Sequence, residues 1–156
     1  MPAAPPEHSA SQVILAESSH PFGARLRPAQ RARLLAEILV AYAQARWALR
    51  REPIATVVVR LRATGAADCG EAPDTLQNAR RLGWSVARVL AVVPGDTRCL
   101  ARALVLTRIL ARRGIAAKLV IGARASPDFL AHAWVEHDGD PVLDPGDGSF
   151  ARLVEL

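Results

Sequence analysis

Lysine is nearly missing from this chain. Of 20 basic residues only Lys118 is a lysine; the rest are arginines spread evenly through an alanine-rich sequence. No five-residue basic block occurs, so the net charge of +5 does not mark a nucleic-acid surface. An acidic peptide is as apt a partner for such a surface. Cysteine is scarce too: Cys69 and Cys99 make no disulfide framework, and reduced thiols fit a cytoplasmic protein. Aromatics are only 4% of the chain, which leaves the core to Ala, Leu, Val and Ile. The helix-forming Ala and Leu then predict a helix-rich fold with a smaller sheet. The longest apolar stretch, LLAEILVAYAQA, is broken by Glu37 and Gln44 and is too short and polar to span a bilayer. The start, MPAAPPEHSASQ, has no basic residue before an apolar run, which argues against a secretion signal. No CxxC, HxxxH or HExxH spacing and no internal repeat occur, so neither a metal site nor a cofactor is expected.

What is there suffices for one domain. At 156 residues, 51% of them apolar, the chain can bury a core of its own. Residues 1–27, rich in Pro, Ser and Ala, read as a flexible N-terminal arm, with QVILA a short docking segment or strand. Pro28 suits a helix's first turn, and Leu34, Leu35, Ile38, Leu39, Tyr42, Ala45 and Leu49 recur at helical spacing over 29–50. IATVVVRLRA is rich in β-branched residues yet long enough for a helix, and a helix is the reading taken. TGAADCGEAPD is a loop, and Asp74 or Thr75 can cap the helix TLQNARRLGWSVARVLAVV after it. The next helix runs from about Thr97 to Arg113, with Asp96 or Thr97 as N-cap and Gly114 as its stop. Strands are expected at about 115–123 and 131–137, then an Asp-Gly turn and a last strand from about 142.

Chemistry concentrates in PGDTRCLARALVLTRILARRG and LAHAWVEHDGDPVLD. Cys99 falls in the first turn of its helix, where unpaired N–H groups and the helix dipole favour a thiolate, the nucleophilic form. Arg98 and Arg102 add positive charge, and the Cys99 amide can supply half of an oxyanion hole. Taken alone, Cys99 reads better as a small buried hydrophobe. His132, between Ala131 and Ala133, has room for a helix or substrate and can serve as the base that takes the thiol proton. Taken alone, it is a partly buried strand histidine. His137 adjoins the polar turn and is expected to face solvent.

Asp144 can orient His132 through the second ring nitrogen. A simple two-residue turn at Asp138-Gly139 would put Asp144 on the wrong face; a one-residue bulge, naturally placed at Pro141, restores it. Asp147 is the second choice, while Asp138 and Asp140 read as turn residues. Trp134 shares a strand face with His132 and is read as core filler rather than a lid on the site, as is Trp84. Gln77 and Asn78 read as helix surface, and Cys69 as an incidental loop thiol.

The run CLARALVLTRILARRGIAAKLVIGAR with FLAHAWVEHDGDPVLD resembles the transglutaminase-like peptidases of lasso-peptide biosynthesis, the B proteins that remove the leader from a precursor. The resemblance covers roughly residues 80–150 and, more loosely, 29–50. It implies a papain/transglutaminase-like α+β fold: an N-terminal helical layer and a central catalytic helix packed on a small antiparallel sheet, over 28–156. It places the nucleophile on Cys99, the base on His132 and the orienting carboxylate on Asp144. It implies cleavage at the leader–core junction of a precursor peptide in a bacterial cytoplasm. About 27 residues precede the first helix, too few for a leader-recognition domain. The match is therefore to the standalone form, with a separate leader-binding protein as partner and an ATP-using lasso cyclase acting next. Neither nucleic acid nor membrane is expected as a partner. The alternatives are another thiol acyltransferase or amidase of this fold, or a non-catalytic peptide-binding module.

Overall fold

The computed structural model describes residues 27–63, 74–93 and 99–156. Four helices come first: α1 (Pro28–Leu49), α2 (Ile54–Ala63), α3 (Thr75–Ala91) and α4 (Cys99–Ala111). Four strands follow: β1 (Lys118–Arg124), β2 (Leu130–His137), β3 (Asp140–Pro141) and β4 (Ala151–Glu155). The sheet is antiparallel, in the order β3-β2-β1-β4. This is the expected α+β arrangement. The N-terminal arm, QVILA, the loop with Cys69, and the expected caps Asp96 and Thr97 lie outside the described residues.

Helix α1 starts with Pro28 at a position whose N–H would be unpaired anyway, and the Gln30 side chain accepts the Arg27 N–H at 2.9 Å. Its buried stripe is Ile38, Ala41, Tyr42, Ala45 and Ala48. Leu35 and Leu39, expected inside, stay 45% and 40% exposed because they fall on the rim of that stripe. The β-branched run 54–63 is a helix, burying Val57, Val58 and Leu61. Asp74 precedes α3 but makes no side-chain capping bond.

Helix α4 is the centre of the molecule. It packs against the other three helices and against β1 and β2. Residues with small or aliphatic side chains on nearly all sides make that possible: Ala101, Ala103, Leu104, Val105, Leu106, Ile109 and Leu110 are all buried. Each large aliphatic among them stabilises the fold by about 1.5–3 kcal/mol. Buried Thr107 returns its hydroxyl to the Ala103 carbonyl at 2.9 Å, so it adds no unpaired polar group. Gly114 ends the helix as expected. Its φ of 68° is left-handed, its N–H reaches the Ala111 carbonyl at 3.0 Å, and the Ile115 N–H reaches the Leu110 carbonyl at 3.0 Å. That pair of bonds is a Schellman stop, and it turns the chain sharply back.

The final strand departs from expectation. Only Asp140–Pro141 pairs with β2, and the last strand is Ala151–Glu155, on the far edge of β1. Pro145, and Gly146 and Gly148 with φ of 81° and 78°, break any strand from 142 onward. The chain instead loops across to β1. There Leu119 and Leu156 exchange two backbone bonds of 2.8 Å, and Arg62 of α2 donates to the Ala117 and Leu156 carbonyls.

Candidate functional site

Cys99 is the first residue of α4, half-buried, and packs on the main core cluster. From there α4 runs about 18 Å to Ala111 at roughly 1.5 Å per residue. After the short connection 112–117, β1 returns about 20 Å at roughly 3.3 Å per residue. Strand β2 then runs antiparallel to β1. The start of β2, with His132, therefore lies at the Cys99 end of the molecule. Side-chain alternation sends Ala133 and Val135 into the helical core and His132, Trp134 and Glu136 to the other face. Cys99 and His132 share an end of the molecule rather than a face of the sheet, and no hydrogen bond joins them among the described residues.

The hairpin after β2 sets the partner of His132. Asp138 (φ 52°) and Gly139 (φ 86°) are both left-handed, the signature of a tight turn that matches strand twist. Glu136 pairs Pro141, and the Val135 carbonyl then accepts both the Val142 N–H (2.9 Å) and the Leu143 N–H (3.3 Å). Two residues opposite one make the one-residue bulge the sequence demanded, just past Pro141 rather than at it. The bulge shifts register by one and turns Asp144 toward the His132 face. Helix α3 holds this segment from behind. Arg80 bonds Asp140 at 3.1 Å, and a Cβ on Gly83 would overlap the Val142 carbonyl.

The contact that results runs through the main chain. His132 Nε2 lies 2.9 Å from the Asp144 carbonyl oxygen, whereas the Asp144 carboxylate accepts the Gly146 N–H at 2.9 Å. That side-chain bond closes an Asx turn across Pro145 and fixes where the carbonyl points. A carbonyl can only accept, so Nε2 carries the proton, and the lone pair of the neutral ring is on Nδ1. The ring packs against Trp134 (centroids 6.0 Å apart, planes 19° apart) and against Phe150 (5.0 Å, 32°). Trp134 is 4% exposed, and its ring lies over Gly122, where a Cβ would come within 2.9 Å of it. Its indole N–H donates to Glu136 Oε1 at 2.7 Å, and Arg152 donates to the same oxygen at 2.7 Å.

Asp147 is engaged elsewhere. Arg124 pairs with it at 3.0 Å and the Ser149 N–H donates to it at 3.0 Å. Bonds from the Ser149 hydroxyl and amide, then the Arg124 charge, hold its carboxyl below the usual range. Gln77 and Asn78 are exposed on α3, as expected. Two expectations are reversed. His137 does not face solvent: it is 6% exposed, points to the core side of β2, and its Nδ1 lies 2.6 Å from the Ala116 carbonyl. Trp84 is not core: it is 46% exposed, with Arg88 over its ring at 5.1 Å. Sequence reasoning missed Glu136, Phe150, Gly122 and Arg152 as supports of the site. The alternation 132, 134, 136 carried the signal for Glu136; nothing local pointed to the other three.

Among the described residues no cluster of His, Cys, Asp and Glu could hold a metal ion, and no helix is long and apolar enough to cross a membrane. Residues 38–155 match the transglutaminase-like superfamily, whose members are usually cysteine-dependent enzymes. No curated protein and no solved structure matches the chain. The match spans most of the chain, both chemistry-bearing segments included, and the chain belongs to the transglutaminase-like superfamily.

Proposed function

We propose that the chain is a cytoplasmic cysteine peptidase that cleaves the leader from a lasso-peptide precursor, with Cys99 as nucleophile, His132 as base and Asp144 as orienter. The observation that carries this reading is the bond from His132 Nε2–H to the Asp144 carbonyl. It leaves Nδ1 as the basic nitrogen, at the end of the molecule where α4 begins with Cys99. The family membership and the resemblance of CLARALVLTRILARRG and AHAWVEHDGD to the B proteins support it further.

The chemistry follows from those atoms. Nδ1 takes the thiol proton, and the Cys99 sulfur attacks the carbonyl carbon at the leader–core junction. The tetrahedral oxyanion is met by free N–H groups at the start of α4. Nδ1–H then protonates the leaving amine, which frees the core peptide, and a thioester to the leader remains. Water, giving its proton to Nδ1, hydrolyses the thioester to a carboxylate and restores the thiol. Through both steps Nε2–H stays on the Asp144 carbonyl, so only Nδ1 exchanges protons. A separate leader-binding protein would deliver the precursor, and an ATP-using cyclase would take the freed core.

The test is incubation of a precursor peptide with the chain, its leader-binding partner and, in parallel, the Cys99→Ala variant. Loss of cleavage with Cys99→Ala, at unchanged circular dichroism, is the expected result; cleavage at the normal rate would show a non-catalytic role for the thiol. Product mass separates the reactions: hydrolysis leaves a free carboxylate, and transfer leaves an amide to an added amine.

A further inference from the structure

The far end of α4 carries a second feature that the catalytic reading does not use. Between the start of α1 and the end of α4 lies a cleft of about 380 Å³ lined by Gln30, Arg33, Leu34, Glu37, Arg112 and Arg113. Three arginines and one carboxylate line it. Arg113 takes that carboxylate with both terminal nitrogens, at 3.2 and 2.8 Å, and Arg112 approaches it only to 3.9 Å. Arg33 is exposed and has no acidic partner among the described residues. Arg113 holds Glu37 closely and Arg112 only loosely, so one carboxylate serves a lining with three arginines and the cleft carries net positive charge. Arg108, one turn before Arg112, has its pKa lowered by burial and then by the Arg112 charge, as expected where cations crowd.

We propose that this cleft is a docking site for an acidic, leucine-bearing peptide segment of a partner protein. The Arg113–Glu37 fork shows the carboxylate geometry the cleft favours, and planar guanidinium groups select it. The lining is not purely basic: Leu34 offers an apolar surface, and Val40, 53% exposed, lies two turns on along the Arg33 side of α1. Acidic and aliphatic side chains together match that mixture. Glu37 within the cleft disfavours a doubly charged phosphate more than a singly charged carboxylate. Because the cleft flanks the C-terminal end of α4 and Cys99 opens its N-terminal end, a segment bound here leaves the thiol free.

The test is fluorescence anisotropy with a labelled glutamate- and leucine-containing octapeptide, on the full chain. Arg33→Glu with Arg112→Glu reverses two charges of the cleft at exposed positions. Arg50→Glu with Arg88→Glu makes the same change in net charge away from the cleft. Binding should weaken about ten-fold or more in the first variant and by less than about three-fold in the second, and fall as salt rises. Equal weakening in both variants would make it a net-charge effect and overturn the site. Tighter binding of a labelled single-stranded oligonucleotide with the same Arg33 and Arg112 dependence would reassign it to phosphate. Cys99→Ala should bind the peptide as the native chain does, which separates this outcome from the fate of the peptidase reading.

Discussion

Replacing Asp144 by Asn and by Ala separates two ways of orienting His132. The Asp144 carbonyl accepts from Nε2, and the carboxylate acts at one remove by closing the Asx turn onto the Gly146 N–H. Asp144→Asn keeps an oxygen acceptor at the same place, so the turn and the carbonyl direction persist. A backbone N–H bond contributes about 1.5–3 kcal/mol to a charged acceptor and about 0.5–1.5 to a neutral one. The turn is exposed, which favours the lower ends, so Asn costs about 1 kcal/mol or less. Asp144→Ala removes the acceptor altogether and costs about 1–2 kcal/mol, with the carbonyl no longer aimed. Activity should follow the same order: within about five-fold of native for Asn and about five- to thirty-fold lower for Ala. A carboxylate that held the ring itself would behave differently, since its amide costs about 10⁴-fold in a Ser-His-Asp triad. The readouts are precursor cleavage and long-range ¹⁵N–¹H NMR of His132, which reports the protonated nitrogen. A thousand-fold loss in Asp144→Asn, or a switch of its proton to Nδ1, would refute carbonyl orientation.

Other substitutions test the supports. Gly83→Ala drives a methyl into the Val142 carbonyl, so α3 must move off the bulge; stability should fall by about 1–3 kcal/mol in urea unfolding. Glu136→Ala leaves the Trp134 indole N–H and Arg152 without their shared acceptor, and should cost about 1–3 kcal/mol and shift the tryptophan emission to the red. His137→Ala should destabilise by about 1–3 kcal/mol, through its lost bond to Ala116, with no change in Cys99 alkylation. Ser149→Ala removes the main cause of the depressed Asp147 pKa, so Asp147 should titrate at higher pH by ¹³C NMR. Asp147's contribution to stability is present at neutral pH and lost as pH falls through its depressed folded value; in Ser149→Ala that contribution should be smaller and its loss complete at higher pH.

The helices were legible because their signals are local. The spacing of Ile38, Tyr42 and Ala45 marked the inner face of α1, and Gly114 marked the Schellman stop of α4. Parity was legible too: two-residue spacing tied Trp134 to the His132 face and demanded a bulge before Asp144. What failed depended on packing between distant segments. His137 looked exposed because it adjoins Asp-Gly, yet the Ala116 carbonyl, from across the sheet, buries it. Trp84 looked like core because it is large, yet its position on α3 faces outward beside Arg88. The strand expected from 142 looked continuous, but the bulge and the glycines past Pro145 send the chain over β1 to form β4. That same excursion brings Phe150 onto His132, a contact no local pattern encodes.

The central claim is that Cys99 is the nucleophile and His132 its base. It is tested most directly by iodoacetamide labelling near pH 6.5, with mass spectrometry comparing Cys99 and Cys69 in the native chain and in His132→Ala. Alkylation follows the thiolate. The account predicts that Cys99 is labelled well ahead of Cys69 and that the lead collapses in His132→Ala, while His137→Ala keeps it. Equal labelling of the two thiols in the native chain, or a lead that survives His132→Ala, would contradict it.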